Sequence, residues 1–103
     1  MSNYSLTDEQ IFLMKRLRIT VPTIVRVLTV LASNSGSRWM SSRDVGLILY
    51  PDKSPLVYSR LAKNLICKIE RFGFISRGHS SLKDLFFFSI SPTGSEFLKD
   101  FDD

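Results

Sequence analysis

Polar and cationic side chains recur at helical spacing in one stretch of this chain and gather around a turn in the next. On a wheel at 100° per residue, Leu56, Ser59, Arg60, Lys63 and Cys67 fall opposite a stripe of Val57, Tyr58, Leu61, Leu65, Ile69 and Phe72. Further along, Arg77, His79, Ser80 and Lys83 surround a short Gly/Ser-containing segment. Guanidinium, ammonium and hydroxyl groups hold phosphates and reach base edges: arginine pairs with guanine O6 and N7, serine is adaptable, and an exposed leucine can meet a thymine methyl. Ser42 and Arg43 stand at a predicted helix start, where free amides favour an anion. Each residue also has an ordinary reading: a solvated face for Arg60 and Lys63, capping for the serines, a polar loop for His79.

Other chemistry finds few residues to carry it. One histidine and one cysteine do not make a zinc ligand set, and no Gly-rich phosphate loop or nucleophile elbow is present, so no catalytic residue, metal or cofactor is expected and the chain reads as a non-enzyme. Cys67 lies near Lys63 and Lys68, a setting that can activate a thiol, yet a cysteine on a mostly apolar helix is more often inert. Phe86, Phe87 and Phe88 read as sheet and core residues rather than a stacking platform, because three successive residues cannot share one face of a strand.

Charge is unevenly spread. Residues 1–83 hold thirteen Lys/Arg and five Asp/Glu, a balance of +8, whereas residues 84–103 hold Lys99 against five carboxylates, a balance of −4. The basic part is therefore where a polyanion site belongs. With 103 residues, 44% of them hydrophobic, the chain suits a single domain spanning residues 1–103 with a real core. The unpaired cysteine, the lack of a signal-like start in Met1-Ser2-Asn3-Tyr4-Ser5, and the break of the first long apolar run at Arg26 predict a cytoplasmic protein outside the membrane.

Punctuation divides the chain into elements. Thr7-Asp8-Glu9-Gln10 is a capping box with a Leu6/Ile11 staple, opening a helix over 8–18. Pro22 starts a second helix, buried through Ile24, Val25, Val27, Leu28, Val30 and Leu31, which stops at Asn34-Ser35-Gly36-Ser37. A short extended segment at residues 38–40 precedes a third helix, capped by Ser41 with Asp44 at N3 and a Met40/Val45 staple, and burying Val45, Ile48 and Leu49. After the turn at 50–53, Ser54-Pro55 opens a fourth helix reaching about Arg71, and Gly73 stops it. Two strands follow, at 74–77 and 85–90, joined by a polar loop over 78–84, then a last helix from Ser91-Pro92 to Phe101. The class is α+β, mostly helical.

That order resembles the winged helix-turn-helix. Ser59-Arg60-Leu61 through Glu70-Arg71-Phe72-Gly73-Phe74-Ile75-Ser76-Arg77 is similar to the recognition helix and "L-x-x-x-G-L-I-x-R" stretch of MarR-type transcription regulators. Phe88-Ser89-Ile90-Ser91-Pro92-Thr93-Gly94 is similar to their "L-T-x-x-G" exit from the wing. The sequence departs from that pattern at Lys83-Asp84-Leu85-Phe86, which has the wing's acid without its arginine. The resemblance implies a winged-helix core over 39–98, with the helix-turn-helix at 42–71, a β-hairpin wing at 73–91 and an extra N-terminal helix. It further implies sequence-specific binding of double-stranded DNA as a transcription or plasmid/phage-type regulator, the fourth helix in the major groove and the wing on the backbone or minor groove.

Ile11, Phe12, Leu13, Met14 and Leu17 make the first helix too apolar for solvent, so it is expected to form a homodimer interface or to pack on its own core. The rival reading of the whole chain is a protein-contact module, an antirepressor or assembly subunit, with Leu56, Tyr58 and the hairpin meeting a partner.

Overall fold

Two capping boxes set where the helices begin. Thr7 Oγ1 accepts from the Gln10 amide at 3.1 Å and Gln10 returns the bond to the Thr7 amide at 3.0 Å, opening α1 (Asp8–Leu17). Ser41 and Asp44 do the same at 3.2 and 3.1 Å for α3 (Ser42–Leu49). Between them lies α2 (Val21–Ser33), with Pro22 in its first turn, and beyond them α4 (Pro55–Glu70), β1 (Ile75–Ser80), β2 (Leu85–Ile90) and α5 (Pro92–Phe101). The computed structural model describes residues 6–33, 39–80 and 85–101, with Ser80, Leu85 and Phe101 by their backbone alone. The protein is α+β and mostly helical, with one two-stranded antiparallel sheet.

The core runs through α2, whose Ile24, Val27, Leu28, Val30 and Leu31 are buried as its near-continuous apolar surface requires. Val45 and Leu49 of α3, Ile66 and Ile69 of α4, Phe74, Phe88 and Phe97 close around it. Phe74 stacks on Phe97 at 4.5 Å between centroids, which fastens the hairpin to α5. Arg26 of α2 donates to the Leu49 carbonyl at 3.0 Å, satisfying a carbonyl left open at the end of α3.

The packing departs from the sequence reading on two helices. In α3 the buried set is Val45, Gly46 and Leu49, while Ile48 is 48% exposed. Gly46 displaces Ile48 because α4 crosses at that point so closely that a Cβ there would overlap the backbone carbonyl of Tyr58. In α4 the expected Tyr58 and Ile69 are buried, with Phe72 just beyond the helix, and Leu65 packs partly buried on the core, but Ala62 and Ile66 are buried as well, so the inward stripe is turned away from Val57 and Leu61. A small residue at the crossing lets two backbones approach, and Val57 is left 41% exposed.

The hairpin also differs from expectation. Gly73, at φ 83°, turns the chain out of α4 as predicted. The first strand, however, continues through Gly78, His79 and Ser80, which pair with Phe87, Phe86 and Leu85 and were expected in the loop. The partner strand offers a full ladder of carbonyls and amides, and pairing outweighs the turn preference of glycine and serine. Met40 extends the ladder, exchanging two 2.8 Å backbone bonds with Phe88.

The N-terminal helix is held on one side only. Leu13, Met14 and Leu17 are half-buried against the core, whereas Ile11 is 41% and Phe12 62% exposed. Leu6 packs on the core, and Ile11, its expected staple partner, is exposed. Among the described residues no helix is long and apolar enough to cross a membrane.

Candidate functional site

A groove of about 470 Å³ opens where three elements meet. The first turn of α3 supplies Ser42 and Arg43 beside their cap Ser41, the N-terminal half of α4 supplies Ser59 and Lys63, and β2 supplies Phe86 and Phe88. Each placement has a local cause. The Ser41/Asp44 box starts α3 at the groove's edge, and Ser59 and Lys63, four residues apart, share one face of α4. Alternation along β2 brings Phe86 and Phe88 to one face of the hairpin, and the Met40 bridge holds Phe88 as a buried floor. Phe86 is 44% exposed and forms a wall.

Two cations and three hydroxyl-bearing residues thus face an aromatic floor. Among the described residues Arg43 and Lys63 carry no ion pair, and the nearest carboxylate in sequence, Asp44, is engaged with the Ser41 amide at 3.1 Å. Among the described residues, an anion in the groove would displace no ion-pair partner of Arg43 or Lys63.

Arg77 is differently placed. It donates to Glu70 through Nη2 at 2.7 Å and Nε at 3.0 Å, and through Nη2 to Cys67 Sγ at 3.6 Å. Its guanidinium also lies over the rings of Phe86 and Phe88, at 4.9 and 5.4 Å from their centroids. The bonds to Glu70 raise its already high pKa against a small opposing cost of burial, so it stays charged. Expected on a phosphate, it is bonded to Glu70 within the molecule. His79, two residues on along the same face, holds its ring 4.8 Å from that of Phe86.

The expected site residues therefore divide. Ser42, Arg43, Ser59 and Lys63 come together in the groove. Arg60, exposed, and Leu56, 72% exposed, extend the outer face of α4 without lining it. Lys83 lies outside the described residues, as does the side chain of Ser80. The sequence reading missed Phe86 as a groove wall, although alternation along a strand puts it on the same face as Phe88. It also missed Trp39, which lies 44% exposed over Gly78 on the opposite face of the hairpin, where a second hollow of about 340 Å³ reaches Phe87.

A patch of different character occupies the α3–α4 corner. Leu47, Ile48, Leu56 and Val57 are each more than two-fifths exposed there.

No family model matches this chain, and no curated protein or solved structure matches it either.

Proposed function

We infer that the protein is a winged-helix binder of double-stranded DNA, acting as a transcription or plasmid/phage-type regulator in the cytoplasm. The observation that carries this reading is the groove: four polar residues singled out in the sequence, from two helices, converge on one cleft whose cations have no ion-pair partner among the described residues. In this reading α4 enters the major groove by its N-terminal half. Arg60 and Leu56 meet base edges, Ser59 and Lys63 straddle the groove wall, and Ser42 and Arg43 grip the backbone. The hairpin serves as the wing, with Lys83 and the segment near Ser80 on the phosphates and Arg77 bracing it from behind. A homodimer formed across Ile11 and Phe12 would present two such units to two half-sites.

The protein-contact reading has one observation in its favour, the exposed Leu47, Ile48, Leu56 and Val57. Salt separates the two. Duplex binding should weaken steeply as salt rises, because each neutralised phosphate releases condensed counterions, and apolar contact with a protein should change little. Titration of a random duplex and of a site selected from a random pool across a salt series tests the reading. Binding that is absent, or insensitive to salt, overturns it.

A further inference from the structure

The groove is larger and more apolar than a phosphate needs. Its roughly 470 Å³ falls in the range of sites that enclose a whole small molecule, and a phosphate would touch only the rim formed by Arg43, Lys63 and the serines. The same groove has Phe86 as a wall and Phe88 as its floor. Phe88 is sealed in the core, but Phe86 keeps 44% of its surface open even with Arg77 and His79 against its ring. An exposed aromatic beside cations that have no ion pair among the described residues is the pairing that holds a base by its face and its phosphate by charge. A base paired within a duplex offers its edge to a groove and keeps its face in the stack, so duplex contact makes no use of the part of Phe86 left open beside Arg77 and His79.

We propose that this groove takes one unpaired nucleotide, its base stacked on Phe86 and its phosphate held by Arg43 and Lys63. The inference rests on the nucleic-acid reading of the groove and adds to it a site for a base out of its pair, at a strand end, a junction or a flipped position. Stacking on a ring face is tolerant of sequence, so the site supplies affinity for unpaired DNA and not base identity. Ser42 and Ser59 complete the rim as hydroxyl donors.

The test uses the intact chain and three labelled probes read by fluorescence anisotropy: an oligothymidine strand of roughly eight nucleotides, an abasic strand of the same length and charge, and a duplex. Wild type should bind oligothymidine roughly tenfold more tightly than the abasic strand. Phe86→Ala should bring the two strands together, and Phe86→Tyr, which keeps a ring, should retain the preference. Thermal melting of each variant shows that the fold is kept. No preference in wild type, or a preference that survives in folded Phe86→Ala, overturns the proposal. If the duplex still binds through Arg43 and Lys63 in that event, the duplex reading stands alone; if neither duplex nor strand binds, both fall.

Discussion

The two halves of α4 treat charge in opposite ways. Toward its N-terminus Ser59, Arg60 and Lys63 face outward or into the groove, and Arg60 and Lys63 carry no ion pair among the described residues. Toward its C-terminus Glu70 takes the guanidinium of Arg77 in two bonds, Cys67 accepts a third, and the hairpin is drawn against the helix. Arg60 and Lys63 on the helix have no ion pair among the described residues, whereas Arg77 of the hairpin is spent on construction. A basic residue on a hairpin is thus not interchangeable with one on a helix face, and net charge alone does not locate a polyanion site.

Breaking the joint beneath the N-terminal half should have the largest effect. Gly46→Val places side-chain atoms on the Tyr58 carbonyl, where backbone must move, and we expect a loss of about 3 kcal/mol in chemical denaturation, the upper range for overpacking. Full stability in that variant would mean that the α3–α4 crossing is looser than described.

Arg60→Ala probes the outer face with the fold untouched. Stability should stay within about 0.5 kcal/mol of wild type. Discrimination between a selected site and a scrambled one should fall by about 1–3 kcal/mol if Arg60 pairs with guanine, and an unchanged ratio would reduce it to a phosphate contact or a bystander.

At the other end, Arg77→Ala removes a partly exposed pair and its ring contacts. The expected cost is about 1 kcal/mol of stability, since water screens such pairs while the double hydrogen bond and the aromatic rings add to them. Glu70→Gln should lose less, because the ring contacts remain. A cost of zero for Arg77→Ala in urea melts would remove the bracing role.

The smallest effect on folding belongs to Phe12→Asp, on the open side of α1, at no more than about 0.5 kcal/mol. Its assembly effect should be clear: sedimentation should show dimer for wild type and monomer for the variant. A monomeric wild type would assign α1 to packing on its own core.

Local signals were read correctly where one residue settles the matter. Thr7 with Gln10, Ser41 with Asp44, Pro55 at a helix start and Gly73 beyond a helix end act within a few residues of themselves. The inward face of α4 was read only in part: Tyr58, Ile69 and Phe72 are buried as expected, but Val57 and Leu61 fit helical spacing as well as Ala62 and Ile66 do. The decision came from Gly46 on another helix. Ser42, Arg43, Ser59 and Lys63 were legible as residue types at helix positions, whereas their meeting point depends on that crossing. The pairing of Arg77 with Glu70 was hidden for a similar reason: seven residues separate them, across a helix end and a turn whose angle the sequence leaves open.

Salt dependence of duplex affinity tests the division of α4 most directly. Log affinity against log salt should be measured for wild type, Arg43→Ala/Lys63→Ala and Arg77→Ala, each confirmed folded. Losing two phosphate contacts at about 0.9 each should flatten the slope by roughly two units in the groove variant, and Arg77→Ala should leave it unchanged. A groove variant with the wild-type slope, or an Arg77→Ala slope flattened by about one unit, would contradict the account.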